Sequence, residues 1–168
     1  MKEVIITINE NEITERIAAE SGYTSMARNK AGLPERFTDI MQATDDDGKL
    51  ISTFVSDSIN EASGLINRFL SPCSVKFDDT GEGESRIILI RFTLPHNSPE
   101  STAEALKNCI TGFAVDRSLQ MWAQTVSPDE AGRYAAKADT EAAKMRSFMT
   151  VRERPQLRSN SSNKIIEL

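Results

Sequence analysis

Only two cysteines, Cys73 and Cys109, occur in 168 residues, too few for a disulfide framework and without the paired spacing of a zinc site. Histidine occurs once, at His96, inside the connector Pro95-His96-Asn97-Ser98-Pro99. A catalytic imidazole needs a group that orients it, and this connector supplies none, so His96 reads as an exposed loop residue. Aromatic residues make up 6% of the chain, so its core must be mainly aliphatic. No apolar run approaches the roughly 18 residues that a membrane-spanning helix needs. The acid-flanked patch Val4-Ile5-Ile6-Thr7-Ile8 is also too short for a signal peptide. Bases are outnumbered, 20 Lys+Arg against 25 Asp+Glu for a formal charge of −5, which gives no overall pull toward nucleic acid or anionic lipid. A soluble, cytosolic protein is the expectation these absences leave.

What is present is mostly helical pattern. Val4 to Ile8 is β-branched throughout and predicts a short strand. Asn9 or Asn11 can cap a helix that carries Ile13, Ile17 and Ala18 and ends near Ser21-Gly22. A short helix is expected at 35–42, between the breaks at Gly32-Leu33-Pro34 and Thr44-Asp45-Asp46-Asp47-Gly48. From Leu50 to Leu70, Val55, Ile59, Ala62, Ile66 and Phe69 recur at alternating steps of four and three, the stripe of an amphipathic helix. Pro72 ends it. Val75 and Phe77, the acidic tip Asp78-Asp79-Thr80-Gly81-Glu82-Gly83 and the run Arg86 to Leu94 predict a β-hairpin.

A lone hairpin is marginal in water, and the unbroken apolar run Ile87-Ile88-Leu89-Ile90 asks for cover on both faces. The hairpin must therefore lean on helices, recruit the strand at Val4–Ile8, or pair with another chain. A long helix then runs to about Thr125 with two apolar stripes, one of Leu106, Ile110, Phe113 and Met121, the other of Val115, Leu119, Trp122 and Val126. Ser127-Pro128-Asp129-Glu130 is a capping box that starts a second helix, which carries Tyr134, Ala135, Ala138, Ala142, Met145 and Met149. After Val151 the chain loses core material, gains Arg152, Arg154, Arg158 and Lys164, and ends in the apolar tip Ile165-Ile166-Glu167-Leu168. The expected fold is mainly α: one domain over 1–150, a bundle of four to five helices with a β-hairpin inserted at about 75–94, and an extended C-terminal tail over 151–168.

Chemistry-bearing patterns fail one by one. If Gly48 took the sixth position of a calcium loop, the twelfth would be Phe54, where a bidentate Glu is required. Gly81-Glu82-Gly83-Glu84 is acidic and lacks the Lys and Ser/Thr of a phosphate loop. Cys109 falls inside an apolar helix and reads as a buried, unreactive thiol. Asp116 and Arg117 interrupt the apolar central helix, and Arg117 reads as a side chain lying along an apolar face with its charge in water. The sparse bases of the tail lack the interleaved aromatics of a nucleic-acid binder. No catalysis, cofactor or metal is expected.

Two blocks carry a resemblance. Asp57 to Leu70 reads Asp, Ile, Ala, Ile, then an aromatic-Leu end. Leu106 to Trp122 is a long apolar helix with an arginine at Arg117, followed by a short loop and a closing helix that begins Arg133-Tyr134-Ala135. Both resemble the small head–tail connector (neck, adaptor) proteins of tailed phages and prophages. The stretch Glu12 to Thr24 is similar to openings of such proteins in Bacteroides-type prophages. The resemblance implies a subunit of a closed homo-oligomeric ring beneath the portal, in contact with portal and tail-completion proteins. DNA would pass as cargo and no membrane would be involved; the protein would be cytoplasmic in the host during assembly, then part of the virion. Ile87, Leu89, Arg91 and Phe92 of the hairpin, with Arg152, Arg154, Arg158, Ile165 and Ile166 of the tail, are the expected interface. The alternative is a cytosolic helical module that binds a partner peptide in a groove along Leu119, Trp122 and Val126.

Overall fold

The computed structural model describes residues 2–30, 48–70, 73–79 and 86–152, with only the backbone given for 24–30 and 79. Strand β1 (Lys2–Asn9) leads into helix α1 (Glu10–Lys30), and helix α2 (Gly48–Asn67) precedes strands β2 (Ser74–Asp79) and β3 (Arg86–Leu94). Helices α3 (Thr102–Val126) and α4 (Pro128–Thr150) close the order. The chain is thus mostly helical, with four helices and three strands among the described residues. The helix expected at 35–42, the triad Asp45-Asp46-Asp47, the acidic hairpin tip and the tail beyond Arg152 lie outside those residues.

The β-branched run of β1 alternates, Val4, Ile6 and Ile8 inward and Glu3, Ile5 and Thr7 outward, the period-two pattern of a sheet covered on one face. It pairs antiparallel with β3 from Lys2↔Leu94 to Asn9↔Ile87. On its other side β3 pairs antiparallel with β2, from Ser74↔Arg91 to Asp79↔Arg86. The sheet order is therefore β1-β3-β2. The two strands expected as a hairpin pair antiparallel between two helices of the chain, and the second is the centre of a sheet completed by the N-terminal strand. Of the three ways to cover it, this chain uses two, the helices and the strand at Val4–Ile8.

Asn9 caps α1, its side-chain oxygen accepting from the N–H of Asn11 at 2.9 Å. The helix then runs past the expected stop at Ser21-Gly22 to Lys30. Gly22 inside a helix costs about 1 kcal/mol relative to alanine. Ile13 and Ile17, in the part of the helix before it, are buried and contribute about 1.5–3 kcal/mol each. In α2 the stripe Val55, Ile59, Ala62 and Ile66 is buried as predicted. Phe69 is not; it is 46% exposed, because the helix ends at Asn67 and the chain turns, the N–H of Leu70 reaching the carbonyl of Ile66 at 2.8 Å. Leu70 takes the buried place instead.

The central helix is α3. Leu106, Ile110 and Phe113 of one stripe and Val115, Leu119 and Trp122 of the other are all buried, against α4 on one side and α2, α1 and β1 on the others. The break at Ser127 is where expected, with extended backbone at Ser127 and Pro128 in the first turn of α4. The Ser127 side chain makes no cap hydrogen bond, and the Glu130 carboxylate accepts from Arg133 at 3.0 and 3.1 Å. Ala131, Ala138 and Ala142 keep α4 close to α3, with Tyr134, Met145 and Met149 filling the seam.

Two polar junctions tie the layers together. Buried Ser58 and Ser118 lie 3.2 Å apart between α2 and α3. Glu10, only 6% exposed, accepts from the Ser52 hydroxyl at 2.6 Å and faces Arg86 at 3.6 Å. That places an acid from α1, a hydroxyl from α2 and a base from β3 at one corner.

Candidate functional site

A strand's side chains alternate between faces, so neighbours on β3 have opposite fates. Ile88, Ile90, Phe92 and Leu94 point into the core, while Ile87, Leu89, Arg91 and Thr93 form the outer face. Three of the expected interface residues, Ile87, Leu89 and Arg91, share that outer face. The fourth is corrected: Phe92 is fully buried opposite Val4 of β1, so its ring belongs to the subunit's own core and is not available to a partner.

The outer face extends across all three strands. Ile5 stands opposite Arg91, Thr7 opposite Leu89 and Asn9 opposite Ile87; Ser74, Lys76 and Asp78 flank the same rows from β2. Ile5 is 53% exposed and Ile87 and Leu89 are partly exposed, so an apolar ridge crosses the middle of the face. Charges rim it, including Arg91 and Glu3 at 3.4 Å. Sequence reasoning missed Ile5 by treating its strand as uniformly apolar; Glu3, Thr7 and Asn9, polar at every second position with Ile5 among them, were the available signal.

The tail is represented by Arg152, whose guanidinium donates to the carbonyls of Met149 and Val151, both at 2.7 Å. It thereby caps the C-terminal end of α4, where a cation is favoured. Arg154, Arg158, Ile165 and Ile166 lie outside the described residues. The groove expected along Leu119, Trp122 and Val126 is filled: Leu119 and Trp122 are buried and Val126 packs partly against the core.

A second feature lies on the opposite side of α3. An open cavity of about 550 Å³ sits between α1, α3 and α4, with Glu12 and Arg16 on one wall, Glu141 and Lys144 on the other, and Cys109 and Gly112 in the floor. One turn further along α3, Asp116 is 8% exposed. Lys137 of α4 meets Glu20 of α1 at 3.1 Å and stands 4.0 Å from Asp116. Burial first, then the neighbouring Glu20 charge, pushes the Asp116 carboxyl up to about 6, against the pull of Lys137. Burial draws the Lys137 ammonium down, but Glu20 and Asp116 outweigh it and the net direction is up.

Asp116 and Arg117, adjacent in sequence, diverge. Arg117 turns to α2, its Nε donating to Glu61 at 2.8 Å and Nη1 to Gln120 at 2.6 Å, a part-exposed pair contributing about 0–1 kcal/mol.

Burial also pushes the Cys109 thiol up to about 11, with Glu141 beside it adding to the shift. A thiol so raised is about a hundredfold or more less ionised at pH 8 than a free cysteine. Iodoacetamide is accordingly expected to leave Cys109 unmodified in the folded protein and to label it on unfolding in urea, as read by mass spectrometry. Fast native labelling would mean that the cavity admits the reagent to a thiol only 5% exposed in the structure. Cys73, half-buried and 3.6 Å from the Ser63 hydroxyl, is raised by burial as well.

His96 is exposed in its connector. Among the described residues no group of three His, Cys, Asp or Glu side chains is placed to hold a metal ion, and no helix is long and apolar enough to cross a membrane. No family model, curated protein or solved structure matches the chain. Functional reading therefore rests on the chain's own surfaces.

Proposed function

We propose that the chain is a structural subunit of a head–tail connector ring in a tailed phage or prophage, joining portal to tail without catalysing a reaction. The observation that carries this reading is the outer face of the sheet. Its central strand carries Ile87 and Leu89 on the outer side, yet only the inner side is covered by this subunit's helices among the described residues, leaving these two partly exposed and Ile5 exposed. An apolar ridge with a charged rim is the anatomy of a protein–protein contact.

In a ring each contact is head to tail and closes by rotation, so the face meets a different surface of the next copy. The tail after Arg152, with Arg154, Arg158, Ile165 and Ile166, supplies an apolar tip and bases for an acidic neighbour. A subunit of charge −5 also suits a channel through which DNA must pass without sticking. On this reading the protein assembles in the host cytoplasm and leaves in the virion.

Light scattering tests it, on the full chain and on a chain ending at Thr150, alone and mixed with the portal protein of the same genome. A closed oligomer or a portal-bound species, lost on truncation, is the expected result. A strict monomer indifferent to the portal would sink the connector reading.

A further inference from the structure

We propose that Lys137 is a proton-controlled clasp that holds α1 against the α3–α4 pair, shared between Glu20 and Asp116 and committed to Glu20 when Asp116 takes up a proton. The proposal stands independently of the connector reading, since it concerns the inside of one subunit.

The geometry is that of two carboxylates competing for one ammonium. Glu20 comes from α1, Asp116 from α3 and Lys137 from α4, so all three helices meet at the Lys137 nitrogen. The bond to Glu20 is a hydrogen-bonded pair at 3.1 Å, whereas Asp116 stands at 4.0 Å, outside hydrogen-bond reach. Asp116 is nonetheless the more deeply buried of the two acids, its side chain 12% exposed against 31% for Glu20. An ionised carboxylate there keeps only this small exposure to water and has its nearest ammonium, at 4.0 Å, too far away to hydrogen-bond.

The other charged groups facing Asp116 are Arg16 and Glu20 from α1 and Glu141 and Lys144 from α4. Glu141 is held by Lys144 at 2.6 Å, which leaves Lys137 as the ammonium placed between Asp116 and Glu20. The Tyr134 ring lies 5.3 Å from Lys137 and keeps the ammonium over the seam through a cation–π contact.

Protonating Asp116 removes its repulsion of Glu20 and its pull on Lys137. The α1–α4 pair then strengthens. Ionising Asp116 does the reverse, and the helix loosened is α1. The sign follows from the direction of the shift: an acid raised in the folded state costs stability when ionised, and that cost disappears as the pH falls through about 6. Because a buried carboxylate near 6 changes charge within the range a cell or its surroundings can reach, α1 would respond to modest acidification.

Amide hydrogen exchange on the full-length chain tests this, with protection factors corrected for the intrinsic pH dependence of exchange. Amides of residues 17–23 in α1 are expected to be about tenfold better protected at pH 5 than at pH 8, the equivalent of one pKa unit of coupling, with a midpoint near 6. In Asp116→Asn the step should vanish and protection stay high throughout. In Glu20→Gln protection should be low and flat. Equal protection of the wild-type helix at both pH values, or a step that survives in Asp116→Asn, would overturn the clasp. A step of the same size in the β3 amides would also overturn it, because Asp116 would then act on the whole fold and not on α1.

Discussion

Phe92→Ala is expected to destabilise the fold by about 3–5 kcal/mol, whereas Leu89→Glu should cost about 1 kcal/mol or less and abolish assembly instead. The two residues lie on one strand, and nothing in their chemistry separates them; only the pleat does. Phe92 is fully buried in a row with Val4, and removing its ring leaves a cavity that packed neighbours cannot fill. Leu89 sits on the outer face between Thr7 and Lys76, partly in water, so a carboxylate there has solvent to face in the free subunit. In a ring the same carboxylate would be taken out of water against an apolar neighbour, which is costly even with Lys76 beside it. Urea denaturation and light scattering with the portal protein read the two effects separately. Should Leu89→Glu unfold the free subunit as readily as Phe92→Ala, the outer face would be covered within the subunit and the proposed interface would be lost. Should Leu89→Glu fold and still assemble, the contact would lie elsewhere on the surface.

The same contrast explains what could be read in the sequence. Periodicity is a local signal, and it located the burial of Val55, Ile59, Ala62 and Ile66 on α2 and the two stripes of α3. It erred at Phe69, where the stripe outlasts the helix by two residues: the period gives a direction only while the backbone remains helical. It also ended α1 near Ser21-Gly22, because a glycine's helix cost of about 1 kcal/mol is visible in sequence, whereas the helix continues to Lys30.

The pairing of β1 with β3 joins residues about eighty positions apart, and no local pattern encodes it. Recruitment of the strand at Val4–Ile8 was therefore one option among three, and which face of β3 each residue took followed only from the register. The cluster at Lys137 was hidden for the same reason. Asp116 was visible as a charge within an apolar helix, but Glu20 and Lys137 look like ordinary surface residues on their own helices. Only the packing of α1, α3 and α4 brings them to one point.

Removing β1 gives the largest expected effect. A chain that begins at Glu10 loses Val4, Ile6 and Ile8, which are 9%, 4% and 0% exposed. At about 1.5–3 kcal/mol each, their burial contributes about 5–9 kcal/mol, comparable to the whole stability of an ordinary domain, about 5–15 kcal/mol. The loss also strips β3 of one of its two partners and turns the central strand into an edge, with an apolar run on both faces and unpaired N–H and C=O groups. The shortened chain is expected to keep much of its helical far-ultraviolet signal, lose its cooperative urea transition and aggregate. A synthetic peptide of residues 1–10 should restore the transition by filling the vacated position, as an added strand does at an open sheet edge. The same peptide with Val4, Ile6 and Ile8 replaced by Asp should not. A hairpin that merely decorated a helical bundle would behave differently: deletion of the first nine residues would leave the urea midpoint unchanged, and that outcome would show the sheet to be dispensable to the core.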